Sequence, residues 1–353
     1  MIQLGIVGSH YGCTVLLPAF QAAGGFAVAA LAGQDLARTR ERAQKVGIRE
    51  TARDWRELVE HSAIEAVAIA VPPRLQPEIA AQALACGKAV FAEKPLGADV
   101  AGAERVARQA AMAGRPVMLD FEFPELPAWK AARQMLDAGA IGALRHVGVS
   151  WMVETYATRM RLKNWKTSAA EGGGAIGNLA CHAFHYLEWF CGSLASLSAQ
   201  LSGLPGEAEP SESTAAIAGT FVSGASFNLS VSAAAYLGSG HRLEFYGEDG
   251  TLVLANPTTD YMRGFTLHHA SRPAAPLAPV AVAPDPADTE AADGRIAPVR
   301  QLAIRFREAI AHGTAPIPGL REGLRVQRLI EAARRSHAEG GRLQPVDRME
   351  AAA

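Results

Sequence analysis

Along the first 120 residues, short unbroken apolar runs alternate with longer stretches whose apolar positions recur every three or four residues. The short runs read as strands buried on both faces, and the periodic stretches read as helices. The pattern predicts strands at 2–7, 26–32, 66–71, 89–92 and 116–121, and helices at 15–23, 36–46, 55–61, 76–86 and 99–113. Parallel neighbours need a crossover between them, so this alternation specifies an α/β domain with a doubly wound, Rossmann-type parallel sheet. Crossovers of this type are right-handed, which leaves few topologies open.

After residue 121 the rhythm changes. A helix at 127–138 and a strand at 145–154 come first, and Gly172-Gly173-Gly174 opens a helix running through 185–190. Strands at 197–201, 215–222, 227–235, 242–246 and 251–254 then follow with no long helix between them, and Glu248-Asp249-Gly250 marks a hairpin turn. Consecutive strands predict a second, α+β domain built on a large, mostly antiparallel open sheet. The expected boundaries are 1–121 for the dinucleotide-binding domain and 122–353 for a substrate-binding and oligomerisation domain, whose last helix is free to pack back on the first. Residues 272–297 are rich in Pro, Ala and Asp and predict a long surface loop. Helices are expected at 301–312 and 320–338, the second with Leu324, Val326, Leu329, Ile330 and Ala333 on one face. An open sheet leaves an apolar face to cover, so self-association through it is expected, as a homo-dimer or homo-tetramer.

Composition narrows the function classes. The chain has 353 residues, 49% apolar and 20% charged, an ordinary globular balance. A net charge of −1 gives no field that would attract nucleic acid or an anionic membrane. Cys13, Cys86, Cys181 and Cys191 have neither zinc spacing nor the density of a disulfide framework. The N-terminus enters a strand directly, with no basic segment before it. No apolar run approaches the ~20 residues of a spanning helix. A cytoplasmic protein is expected.

The first strand runs into Gly8-Ser9-His10-Tyr11-Gly12-Cys13. A dinucleotide fingerprint asks for glycine at the first, third and sixth positions of such a turn. Here only Gly8 is in register; His10 and Cys13 hold the other two places, and Gly12 comes one residue early. The physical need can still be met by the first turn of the following helix, expected near Val15, whose N–H groups and dipole favour a pyrophosphate. At the end of the second strand, Gly33 stands where NAD enzymes place an acidic residue for the ribose, followed by Gln34 and Asp35. With Arg38 and Arg40 starting the next helix, the balance between NAD and NADP leans toward NADP. A solvent-facing Arg38 is the alternative.

The fourth strand closes on Glu93-Lys94-Pro95. Proline pushes Lys94 toward an extended backbone, and the carboxyl ends of parallel strands are where open α/β sheets place ligands. These residues, with Val71-Pro72-Pro73 and Gln76, Ala85-Cys86-Gly87-Lys88-Ala89-Val90, the glycine run followed by His182, the turn at 247–252 and the helical ending at 331–341, resemble the glucose–fructose oxidoreductase / inositol dehydrogenase / rhizopine catabolism (Gfo/Idh/MocA) family over nearly the whole chain. The resemblance implies an NAD(P)-dependent dehydrogenase or reductase acting on CH–OH groups of a sugar, polyol or related cyclic substrate. It implies Lys94 as the catalytic lysine, His182 as a catalytic or substrate-contacting histidine, and cofactor contacts from Gly8, Ser9, His10, Tyr11, Gly33, Gln34, Arg38, Val71, Pro72, Gln76, Glu93 and Lys94. The family pattern has an aspartate four residues before the histidine; this chain has Asn178.

A lysine suits the proton step of such a reaction if partial burial and the cationic nicotinamide lower its pKa. Asn178 cannot act as a base, but it can hydrogen-bond substrate hydroxyls. Glu93 fixes its loop or meets the nicotinamide ribose. His182 and His185 share a helical face, but no third ligand is spaced for a metal and none is expected; His185 reads as a core residue. The basic, aromatic segment 159–166 is either a solvated loop or a lid offering Lys163 and Lys166 to substrate and Trp165 to a sugar face. Glu122 is a further candidate substrate contact. Two other readings stay open: cofactor-assisted elimination or hydrolysis, and a catalytically inactive nucleotide-sensing or partner-binding protein.

Overall fold

The computed structural model describes residues 1–203, 211–273, 276–285 and 291–346. The chain forms two compact units, Met1–Glu122 with Pro286–Gln327, and Phe123–Asp285 with Arg328–Ala353.

The first unit is a six-stranded parallel sheet in the order β3-β2-β1-β4-β5-β6. Its strands are β1 (Ile2–Val7), β2 (Phe26–Ala32), β3 (Glu50–Thr51), β4 (Ala66–Ile69), β5 (Ala89–Ala92) and β6 (Val117–Leu119). The central strands are buried on both faces, which is why they read as continuous apolar runs. Strand β3 has only two residues and carries no pattern to detect. Helix α1 (Leu17–Ala23) continues a π-helical turn over Gly12–Leu16, so helical backbone begins several residues before the expected start near Val15. Helices α2 (Leu36–Val46), α3 (Trp55–Glu60) and α5 (Val100–Ala113) start on aspartate caps: Asp35, Asp54 and Asp99 accept backbone N–H bonds from their first turns. Helix α4 (Gln76–Ala85) lies between α3 and α5 in the chain.

In the second unit, α6 (Pro127–Asp137), α7 (Tyr156–Arg159) and α8 (Cys181–Cys191) accompany a nine-stranded sheet, β14-β13-β12-β11-β7-β10-β9-β8-β15. Its strands are β7 (Leu144–Met152), β8 (Leu194–Gly203), β9 (Glu212–Phe221), β10 (Ser226–Ser232), β11 (Gly240–Gly247), β12 (Gly250–Asn256), β13 (Thr266–Ser271), β14 (Ala278–Val280) and β15 (Gln344–Pro345). Among the described residues of this sheet only β10 and β7 pair in parallel; the other pairs are antiparallel. Strand β14 lies inside the stretch expected to be a plain loop, and it pairs with β13 at the sheet edge. Alternation sends Ile217, Phe227, Leu229 and Val231 into the core and leaves Ala216, Ala218 and Asn228 exposed on the other face. The outward face there is therefore lined by small residues rather than by large apolar ones.

Two late helices are α9 (Ile296–His312) and α10 (Leu320–Ala338). Val299, Leu302, Ala303 and Phe306 of α9 are buried in the core of the first unit. Phe306 lies 5.8 Å from Phe91 and 6.3 Å from Phe26, ring centre to ring centre, and Phe20 meets Phe26 at 4.8 Å. Arg307 Nη1 donates to Ala23 O and Gly24 O, closing the carbonyl end of α1 at 2.7 and 2.8 Å. Truncating Phe306→Ala is expected to cost about 3–5 kcal/mol, read as a lower midpoint in chemical denaturation of the whole chain.

Candidate functional site

The strand order reverses between β1 and β4, the place where doubly wound sheets open a crevice for a ligand. Gly8 ends β1 there with φ +111°, and a Cβ on it would run into the backbone of Ala70 at the end of β4. Only glycine fits that approach. The turn then passes through Ser9, exposed His10 and Tyr11 into the helical turn at Gly12. His10 O accepts the N–H groups of Cys13 and Thr14. The missing glycines of the fingerprint thus leave the strand-to-helix turn intact.

Beside it, Gly33 follows β2. A Cβ there would meet Thr39 Oγ1 and come within 3.1 Å of Ser9 Oγ. A side chain at this position would require Thr39 and Ser9 to shift. Arg42 Nη1 donates to Ser9 Oγ at 2.9 Å, tying α2 to the turn after β1. Gln34 and Arg38 are exposed, and Arg38 lies 3.6 Å from the capping Asp35 carboxylate. Sequence reasoning named Arg38 and missed Arg42. One further helical turn places Arg42 on the face packed toward the strand ends, a signal the 3.6-residue period did carry.

Val71 and Pro72 are half-buried just beyond β4. Gln76, buried at the start of α4, spends its amide N–H groups on the peptide oxygens of Glu93 and Pro95. It clamps the chain on either side of Lys94, whose bond to Pro95 is cis. Lys94 and Glu93 are half-buried at the carboxyl end of β5. Asp120 N donates to Ala92 O at 2.9 Å, extending the β5–β6 ladder by one step. Asp120 itself is fully buried and Glu122 is 4% exposed. Tyr11 Oη donates to Asp120 Oδ2 at 3.2 Å, and the Arg295 guanidinium lies 5.0 Å from the Tyr11 ring centre.

These charges act on one another. Burial pushes Asp120 well above the usual carboxylate range, and the nearby Glu93 and Glu122 carboxyls push it further. Burial raises Glu122 to about 7 against the opposing pull of Lys94. Burial, then Asp120, raises the Tyr11 hydroxyl well above its ordinary value. Asp120, Arg295 and Tyr11's inward hydroxyl were not foreseen as a group. The acids flanking Phe121 were visible in the sequence; the arrival of Arg295 from the far end of the chain was not.

In the second unit, Asn178 is half-buried in a π-helical turn, Ile176–Ala180, that leads into α8. His182 is 5% exposed in α8, with its ring edge-on to Phe123 at 5.1 Å and 6.1 Å from the Trp151 ring. His185 is buried on the same helix, and burial alone lowers it to about 3, so it is neutral. Lys163 is exposed. Trp165 is half-buried in a short 3-10 turn fixed by an Asn164–Thr167 capping box, with Lys166 Nζ 5.7 Å from its ring centre. The glycine run has a steric reason: a Cβ on Gly173 would strike the Trp165 carbonyl, and one on Gly174 the Glu212 carboxylate. No helix among the described residues is long and apolar enough to cross a membrane.

The chain matches the model of the Gfo/Idh/MocA oxidoreductase family's NAD-binding Rossmann fold over residues 2–121 and that of its C-terminal alpha/beta domain over residues 133–346. An uncharacterized oxidoreductase of Synechocystis sp. is 32% identical over 352 residues, spanning 96% of this chain and 94% of that protein. A levoglucosan dehydrogenase of Pseudarthrobacter phenanthrenivorans is 28% identical over 165 residues, 46% of this chain and 42% of that protein. A crystal structure of an oxidoreductase domain protein from Kribbella flavida, 25% identical, superposes with a TM-score of 0.84 over 98% of this chain and 99% of that one. The chain belongs to the Gfo/Idh/MocA oxidoreductase family, with that family's NAD-binding Rossmann fold and C-terminal alpha/beta domain.

Proposed function

We propose that the chain oxidises or reduces a carbinol carbon of a sugar, polyol or related cyclic substrate, with Lys94 as the acid/base. The observation that carries this reading is the clamp on Lys94. A buried glutamine holds the peptide oxygens on both sides of it, at the end of a parallel strand one step from the switch point. Such preorganisation suits a group that must meet a substrate oxygen in one geometry. The nicotinamide supplies the hydride chemistry when bound. The proteins named as sugar dehydrogenases among the relatives support the substrate class. The turn at Gly8 and the bare surface at Gly33 fit a dinucleotide: one lets backbone come close to a pyrophosphate, the other keeps a carboxylate away from the ribose. His182 and Asn178 are proposed as substrate contacts, with Trp165 and Lys163 as candidates from the segment before the glycine run.

The choice of NADP over NAD is proposed on the same ground. With glycine at 33, no carboxylate at that position repels a 2′-phosphate, and the Arg42 guanidinium stands against Ser9 at the turn after β1. A guanidinium there can reach phosphate oxygens in a charge-assisted pair. Self-association through the second unit's sheet is proposed from the outward face of small residues on β8, β9 and β10, which permits close sheet-to-sheet approach.

Three measurements check these statements. Lys94→Ala is expected to lower kcat by about 10²–10⁴-fold on the best substrate of an aldose, polyol and anhydrosugar panel, with the circular dichroism spectrum unchanged. Full turnover in that variant overturns the acid/base reading, and a wild type that binds NADPH yet turns over nothing on the panel points to a nucleotide sensor. Arg42→Ala is expected to weaken NADPH binding about tenfold or more by fluorescence titration, with NADH little changed; equal losses for both would remove the case for NADP. Light scattering is expected to give a dimer or tetramer, and a monomer at micromolar concentration would contradict the sheet-mediated assembly.

A further inference from the structure

The turn after β1 has an arginine on each side. Arg42, from α2, donates to Ser9 Oγ at 2.9 Å. Arg295, the residue before α9, holds its guanidinium 5.0 Å from the ring centre of Tyr11. His10 stands between these two contacts, where the dinucleotide fingerprint has the glycine that lets backbone approach the pyrophosphate. His10 O accepts the N–H groups of Cys13 and Thr14, so two donors of the first helical turn are already spent. Such a turn is a poorer backbone cradle for a phosphate than a glycine turn. Side chains have to supply the missing attraction.

Arg295 is placed to supply it. Helix α9 lies beside α1 and runs the same way: Arg307 meets Ala23 O and Gly24 O at the end of α1, and Arg295 meets Tyr11 at its start. The two contacts are about 18 Å apart along either helix. Both helices therefore direct the positive ends of their dipoles to the same place, and a cation there is unfavourable unless an anion joins it. Asp293 provides one anion and fixes the guanidinium. Its carboxylate accepts from Arg295 N at 3.0 Å, from Nε at 2.9 Å and from Nη2 at 2.6 Å. Nη1 makes no hydrogen bond among the described residues, and the side chain is 36% exposed. One edge of the fork is locked and the other is open to a ligand. The ring beneath it is held too, since Tyr11 Oη donates to the buried Asp120 carboxyl at 3.2 Å.

We propose that Arg295 is a cofactor-binding residue that pairs through Nη1 with the pyrophosphate of the dinucleotide, with Asp293 as its positioning residue. This rests on the dinucleotide reading of the turn at Gly8 and is independent of the role given to Lys94. The two arginines divide the cofactor between them. Arg42, at Ser9 and next to Gly33, is assigned the adenosine ribose and its 2′-phosphate. Arg295 serves the pyrophosphate that NAD and NADP share, in a charge-assisted pair for which a guanidinium with one edge fixed is preorganised.

The test is fluorescence titration of the full chain with NADH and with NADPH, and competition by ADP-ribose, which carries the pyrophosphate and lacks the nicotinamide. Arg295→Met keeps an apolar stem over Tyr11 and removes the charge. It is expected to weaken all three ligands alike, by about tenfold or more, and to flatten the salt dependence of binding. Arg295→Lys keeps the charge without the fork and is expected to recover part of the loss. Asp293→Asn is expected to weaken the same three ligands by a smaller, common factor, with circular dichroism unchanged in every variant. Undiminished binding of all three ligands by Arg295→Met overturns the proposal and leaves the arginine a packing partner of Tyr11. A loss confined to NADPH moves the contact to the 2′-phosphate, and a loss that spares ADP-ribose moves it to the nicotinamide half; either result overturns the pyrophosphate assignment. A wild type that binds none of the three overturns the dinucleotide reading and this inference together. Every readout is equilibrium binding, so a failure of Lys94 as the acid/base leaves these outcomes as they stand.

Discussion

Three carboxyl groups and a lysine stand at the ends of two parallel strands, Asp120 and Glu122 buried and Glu93 and Lys94 half-buried, so water screens them only in part. At the effective dielectric of such a site, a pair of unit charges about 4 Å apart interacts by about 4 kcal/mol. A few such pairs are comparable to the net stability of a whole domain. Ionising every group is therefore too costly, and the cluster has to distribute its protons unevenly. Burial and two neighbouring acids push Asp120 well above the usual carboxylate range. Burial raises Glu122 to about 7, and Lys94 opposes that rise. One environment thus produces two different carboxyl groups.

The cluster can persist because what surrounds it is rigid. Its members come from the β1 turn, the ends of β5 and β6, and the residue before α9, so no single local element could assemble it. The ladder from β5 to β6 sets the level of Glu93 against Asp120, and Gln76 fixes the peptide units around Lys94. Beneath them lies the aromatic core of Phe20, Phe26, Phe91 and Phe306. The last of these rings arrives from a helix nearly two hundred residues beyond β6, so the first unit is completed only late in the chain.

This explains which parts could be read from the sequence. Buried parallel strands announce themselves as apolar runs, and the order of strands and helices follows from the alternation. Gly8 could be read because a tight approach leaves glycine as the one choice. Strands β3, β14 and β15 could not, since two or three residues at a sheet edge carry no period. The outward face of β9 and β10 is read less directly for a different reason: strand identity follows from the apolar half of the alternation, whereas the surface depends on the other half. Arg42 was overlooked because Arg38 and Arg40 stand nearer to Gly33 in sequence. Helical geometry gives Arg42 the contact to Ser9 and leaves Arg38 with its capping aspartate. Arg295 required the tertiary fold.

Asn178 bears on the same question from the second unit. The family pattern has a carboxylate there, able to take a proton from the neighbouring histidine; an amide can orient a hydroxyl but cannot accept a proton at any accessible pH. Buried His185 is neutral, held down by burial alone. An amide at 178 therefore leaves hydrogen bonding, not proton transfer, to that position, while the acids whose affinity for a proton is raised by burial, Asp120 and Glu122, belong to the first unit.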